Sequence, residues 1–146
     1  MKKMRINFDM DGTFANLYAV EGWLKALSID HDPYPYAQAE PMLNMSAFAR
    51  LLHKAQRLGY EIVVLSWLSK ESTAEYDMAV TQAKIEWLKV HLPSVEWNEI
   101  IIVPYGTPKH ELSSGVLFDD EEHNRNMWGE GAFEPCEILE FLRGLE

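Results

Sequence analysis

A single cysteine, Cys136, stands among the 146 residues, so no disulfide can close within the chain and a reducing cytoplasm is the expected setting. With Pro135 before it at a helix start and no base signature nearby, Cys136 is expected to pack rather than react. Long apolar runs are missing as well. The start Met1-Lys2-Lys3 hints at a leader, yet the apolar stretch behind it is broken at once by Arg5, Asn7 and Asp9. Nothing in the chain is expected to cross a membrane or to be cleaved as a leader. Positive charge is scarce: 13 Lys and Arg stand against 23 Asp and Glu, a formal charge of -10. Duplex nucleic acid, whose phosphates call for a basic face, is therefore not an expected partner. A single phosphate monoester remains compatible, because a metal ion, one lysine and a few backbone N–H groups can invert the field locally. The five histidines, at 31, 53, 91, 110 and 123, show no ligand spacing such as His-Glu-x-x-His, and zinc is not expected. His110 reads as ordinary surface. Repeats and low-complexity tracts are absent too.

What is present suits one domain with a proper core: 146 residues, 47% apolar and 25% charged. Short β-branched runs alternate with helical periodicity. The runs are Met4 to Phe8, Glu61 to Ser66, Asn98 to Pro104 and Gly115 to Asp120, with Ala132-Phe133 as a short fifth strand. Between them, Leu17, Val20, Leu24 and Leu27 predict an amphipathic helix from about Asn16 to Ser28. Asp32-Pro-Tyr-Pro-Tyr36 is expected to break regularity. A helix over Ser46 to Leu58 presents Phe48, Leu51, Leu52 and Ala55 and stops at Gly59. The longest helix, Ser72 to His91, is assigned the stripe Ala74, Met78, Ile85, Leu88 and Leu92. A last helix runs from Pro135 to Leu142. Strand-helix alternation predicts an α/β fold with a central parallel sheet, and residues 14 to 44 form an excursion between the first strand and the core helix.

Asp9-Met10-Asp11-Gly12-Thr13 follows the first strand directly. Side chains at i and i+2 of an extended segment share a side, so both acids can address one small site; alone, the motif also reads as an Asp-Gly turn with two solvated carboxylates. The other strands tip that balance. The second ends in Ser66, the third is followed by Tyr105-Gly106-Thr107-Pro108-Lys109, and the fourth ends in Asp119-Asp120. Polar groups gathered at the C-terminal ends of parallel strands are the layout in which an open α/β sheet forms its site.

These four ordered signatures, Asp9/Asp11, Ser66, Lys109 and Asp119/Asp120, resemble those of the haloacid dehalogenase superfamily of phosphohydrolases. The lysine shortly after the third strand and the Val116-Leu117-Phe118-Asp119-Asp120 run look most like the small 5'-nucleotidases of the deoxyribonucleotidase type. The resemblance implies a three-layer Rossmann-like fold in which the excursion at about 14 to 44 is a small helical cap.

The resemblance also implies the chemistry. Hydrolysis of a phosphate monoester calls for acceleration approaching ~10²¹-fold in the best enzymes, and a covalent intermediate divides the task. Asp9 is the expected nucleophile. Asp11 is expected to protonate the leaving alkoxide and then activate water, which burial and neighbouring negative charge would favour. Four acids facing a dianion require a cation, and an all-oxygen donor set points to Mg²⁺. Asp9 and one of Asp119 and Asp120 are the expected carboxylate ligands; Asp11 contributes its backbone carbonyl by resemblance. The acidic run Glu121-Glu122 reads as a helix first turn favoured by the dipole, with Asn124 and Arg125 anchoring the loop. Ser66, with backbone N–H groups of the turn that begins at Trp67, is expected to bind phosphoryl oxygens; alone, it reads as a helix N-cap. Lys109 is expected to neutralise the transferring group, with Lys84 as its rival, read as an exposed mid-helix lysine. Trp67 is a candidate wall for the leaving group, along with Phe14, Tyr18, Tyr34 and Tyr36 on the excursion, since a nucleobase stacks on such rings. Most of Trp23, Trp87, Trp97 and Trp128 are expected in the core. The expected partner is a small phosphorylated metabolite, with a 5'-nucleotide as the leading candidate. Sugar phosphates and phosphorylated polynucleotide ends are the alternatives, and a non-catalytic phosphate-binding module is the reading of another class.

Overall fold

In a computed structural model, which describes residues 4–146, the apolar runs become a parallel sheet. The Met1-Lys2-Lys3 start lies outside the described residues. Strand β1 is Arg5–Phe8, β4 Glu61–Trp67, β5 Glu99–Val103, β6 Val116–Phe118 and β7 Ala132–Phe133, in the order β5-β4-β1-β6-β7. The register pairs Phe8 with Val64 on one side and Phe118 on the other. Because side chains alternate along a strand, Ile6, Phe8, Ile62, Val64 and Phe118 share one core with Phe48, Leu52, Trp87, Ile138 and Leu142. Asn7 points the opposite way and is buried but satisfied. Its amide donates to the Ser114 and Val116 carbonyls and accepts from the Ser113 hydroxyl, tying β1 to the loop behind Lys109.

Helix α3 (Met45–Arg57) matches its predicted span, with the Asn44 side chain accepting the Ala47 N–H as N-cap. Helix α4 (Ala74–His91) is capped by Thr73, but its buried stripe differs from the predicted one. Tyr76, Val80, Lys84, Trp87 and Leu88 face inward, while Met78 is 75% exposed. Only Leu88 and Leu92 of the predicted stripe are buried. The inward face runs through a lysine, so a search for apolar spacing alone rotates the helix away from its true orientation. Helices α5 (Glu122–Trp128) and α6 (Ile138–Arg143) complete the domain. Cys136 is exposed rather than packed, because the 3₁₀ turn Pro135–Glu137 that leads into α6 turns it outward.

The excursion departs most from expectation. Strand β2 (Ala15–Asn16) pairs antiparallel with β3 (Glu40–Pro41), so the segment leaves and returns at one place. The single helix predicted over 16 to 28 does not form. A 3₁₀ turn at Leu17–Ala19 is followed by the short helix α1 (Trp23–Lys25), which widens into a looser turn over Ala26–Asp30. Gly22 divides them. Its φ is +75°, and a Cβ there would lie 2.7 Å from the Tyr34 hydroxyl, which donates to the Glu21 carbonyl. Leu24, assigned to the buried stripe, is 61% exposed. The Asp32-Pro-Tyr-Pro-Tyr36 stretch does not break structure throughout: Tyr34–Gln38 forms helix α2, with proline in its first turn, where a missing N–H costs nothing.

Candidate active site

The turn after β1 is held by one carbonyl. Met10 O accepts the N–H groups of Thr13, Phe14 and Ala15, and Gly12, at φ +79°, makes the reversal. A Cβ on Gly12 would come within 2.2 Å of an Asp120 carboxylate oxygen. Glycine is thus needed twice over here, for its left-handed backbone and for the acid that approaches it from the end of β6. Asp9 itself continues the sheet, its N–H donating to Phe118 O, and its Oδ2 accepts from the Thr13 hydroxyl at 3.0 Å.

Three carboxylates meet at this rim. One oxygen each of Asp9, Asp119 and Asp120 lies within 4.8 Å of the others. Lys109, buried, donates to Asp9 Oδ1 at 2.9 Å and to Asp119 Oδ2 at 2.7 Å. Asp119 is fully engaged by protein donors: Oδ2 also accepts from Asn124, and Oδ1 accepts the Glu121 N–H. Arg125 donates to the Asp119 carbonyl, so Asn124 and Arg125 do anchor this loop. Asp120 receives no such set.

The charges do not balance. One ammonium faces three carboxyls, and burial with the nearby Asp9 charge pushes the Asp120 carboxyl up to about 8. The same causes raise Asp119 to about 6 although Lys109 pulls it down. Lys109 is itself raised to about 12, its two acids outweighing burial. A dense all-oxygen cluster short of positive charge fits a hard divalent ion. Asp11 sits at the cavity edge; burial raises its carboxyl, and the Lys84 ammonium only partly offsets this.

Lys84 is not the exposed mid-helix lysine expected from the sequence: it is completely buried. Its ammonium donates to Asp11 Oδ2 at 2.8 Å, Ser66 Oγ at 2.7 Å and Trp67 O at 2.6 Å. Ser66 is also fully buried and lies behind the cavity wall rather than on it.

The cavity in front of the acids has a volume of about 370 Å³. Asp9, Asp11, Lys109, Asp119 and Asp120 form its floor, and Leu17, Tyr18, Trp23, Tyr36, Trp67 and Tyr105 supply much of its wall. Trp67 is fixed by its indole N–H to the Thr107 carbonyl, and its ring packs against Tyr105 at 4.9 Å, while Tyr18 packs on Trp23 at the same separation. Of the excursion aromatics proposed from sequence, Tyr18 and Tyr36 line the cavity. Tyr34 does not, and Phe14 is buried in the core against Phe48 and Trp97. Of the four tryptophans expected mostly in the core, Trp23 is a wall residue, because Gly22 turns its short helix over the opening. Sequence reasoning missed Thr13, Tyr105 and the buried state of Lys84. For Lys84 there was a signal, since Val80, Lys84, Trp87 and Leu88 share helical spacing.

A family model described as "5' nucleotidase, deoxy (Pyrimidine), cytosolic type C protein" matches residues 36–132, more than half of the chain. The chain belongs to this family. It is a phosphatase of the haloacid dehalogenase type, as the order of signatures implied. The matched span contains Ser66, Lys109, Asp119 and Asp120 but not Asp9 or Asp11. In fold, this nucleotidase-family chain is similar to a D,D-heptose 1,7-bisphosphate phosphatase from Burkholderia thailandensis. That protein is 15% identical, with a TM-score of 0.55 over 96% of this chain and 99% of the other. A structural target from Vibrio cholerae is 18% identical, with a TM-score of 0.48 over 97% and 96% of the two chains. No curated protein matches the chain. Among the described residues, no helix is long and apolar enough to cross a membrane.

Proposed function

We propose that this phosphatase is a Mg²⁺-dependent phosphomonoesterase that hydrolyses a 5'-nucleotide through an aspartyl-phosphate on Asp9. The observation that carries the reading is the convergence of Asp9, Asp119 and Asp120 around Lys109 at the floor of an aromatic-walled cavity. The family description, a 5' nucleotidase of cytosolic type, supports both the nucleotide and a cytoplasmic setting.

In the first step Asp9 attacks phosphorus, forming the Asp9 O–P bond as the ester P–O bond breaks. Asp11, whose buried carboxyl favours the protonated form, gives its proton to the departing alkoxide. In the second step Asp11 takes a proton from the water that cleaves the acyl phosphate, releasing inorganic phosphate and restoring Asp9. Lys109 uses two of its three N–H groups on carboxylates and turns the third to the phosphoryl oxygens. Ser66, buried behind the cavity wall, accepts from Lys84 and so anchors the turn at Trp67, whose residues face the phosphoryl group from the wall. Asp9 and Asp120 would hold Mg²⁺ with the Asp11 backbone carbonyl; when bound, the ion neutralises charge on carboxylates and phosphoryl oxygens. Asp119, saturated by Lys109, Asn124 and the Glu121 N–H, orients the lysine. The rings of Trp67, Tyr105, Tyr18 and Trp23 give a planar base a place to stack.

Release of inorganic phosphate from a panel of 5'-nucleotides, sugar phosphates and phosphorylated oligonucleotide ends, with Mg²⁺, tests the proposal. Nucleotides should be turned over fastest. Preference for a sugar phosphate would discard the base-stacking part, and silence toward every ester would overturn the whole.

A further inference from the structure

Resting on that hydrolase reading, we propose that Lys84 is a positioning residue that binds Asp11, Ser66 and the Trp67 carbonyl into one unit and does not touch the substrate phosphate. An ammonium has three N–H donors and no more. In Lys84 all three are spent on protein acceptors at 2.6 to 2.8 Å, and its remaining side faces the Tyr36 ring at 5.1 Å. Its side chain has no exposed surface and does not line the cavity, whereas Lys109 does.

The location decides what this arrangement does. Lys84 projects from α4, while its acceptors lie on the turn after β1 and at the end of β4. One side chain therefore fixes two strand ends relative to each other across the sheet. Among the described residues, Lys84 supplies the hydrogen bond that holds the Asp11 carboxyl. Without it that carboxyl, at the edge of the cavity, has free choice of rotamer. Burying an uncompensated ammonium is costly, so this lysine is retained only while all three acceptors are in place. Removing it loosens the group that must meet the leaving oxygen, and misplacement of about 1 Å costs on the order of 10²-fold in rate.

Lys84→Gln and Lys84→Met, with Lys109→Met for comparison, test the proposal by kcat, KM and the inhibition constant for inorganic phosphate. The Lys84 variants should lose about 10²-fold in kcat while KM and phosphate inhibition stay near wild type; Lys109→Met should weaken phosphate inhibition strongly. In an Asp11→Asn background, Lys84→Gln should add little further loss. A rise in the phosphate constant equal to that of Lys109→Met would make Lys84 a phosphate ligand and overturn the proposal, as would an unchanged kcat. If the Met variant fails to fold, the polar Gln variant, which keeps a neutral hydrogen-bond donor, carries the test. A crystal structure of Lys84→Gln decides independently of activity: Asp11 and Ser66 should shift from their present positions, and their staying in place would sink the claim. A wild-type enzyme silent toward all esters would remove the hydrolase reading while leaving that structural arm to decide.

Discussion

The floor of the cavity and its wall are built on opposite principles. The floor is made of two strand ends and a lysine from the 3₁₀ turn beyond a third: Asp9, Asp119 and Lys109 are buried, each held by two or more hydrogen bonds, and none of the three can turn without breaking an ion pair. The wall is made of short pieces. Helix α1 and the wider turn after it present Trp23 and Leu24 from a segment broken at Gly22, and Tyr18 and Tyr105 are nearly half exposed. Rigid elements hold the reacting groups to tight geometry, whereas loosely packed elements open locally at low cost. The difference suits chemistry that is fixed and a leaving group that is admitted and selected.

The largest test of that contrast is Asp9→Asn, expected to lower turnover by at least ~10³-fold, as removal of a nucleophile does, with an unchanged circular dichroism spectrum. Surviving activity would assign the nucleophile elsewhere. Chelation comes next. EDTA is expected to stop phosphate release and Mg²⁺ to restore it, and indifference to both would take the divalent ion out of the floor. On the wall, Trp67→Ala is expected to raise KM for nucleotides by roughly 10-fold, the lower part of the range for a lost base stack, with little change for a sugar phosphate. Equal effects on both would show that Trp67 supports the floor instead.

The smallest expected effect is on stability against pH. Asp120, raised to about 8, and Asp119, raised to about 6, hold protons more tightly in the folded chain than in the unfolded one. The stability they confer is present at low pH and lost as pH rises through those values. In EDTA the melting temperature should fall between about pH 5 and pH 8.5, and Asp120→Asn should flatten the decline. A melting temperature that rises over this window would show that the carboxyls do not repel one another as described.

The floor was legible in the sequence and the wall only in part: Trp67, Tyr18 and Tyr36 were foreseen around the cavity, Trp23 and Tyr105 were not. Strand-end motifs survive reading because a parallel strand is a local apolar run and its C-terminal end is marked by the first polar residues after it: Asp9, Ser66, Asp119. The helix over 16 to 28 was misjudged because its periodicity is real but Gly22 allows a turn that the contact with Tyr34 then enforces. Lys84 was misjudged for a related reason. A charged residue within an apolar stripe reads as surface unless its partners are known, and those partners are 73 and 18 residues away in the chain.

The sequence alone determined the α/β alternation, the catalytic-type motifs and their order, since hydrophobic period and turn chemistry are local properties. Only the tertiary structure decided that Asp119 is saturated while Asp120 is not, that Trp23 and Tyr105 join Trp67 around the opening, and that Lys84 is buried with three acceptors. Those facts depend on which side chains meet across the sheet, and hydrogen-bond saturation and burial are properties of neighbours in space that no single stretch of chain contains.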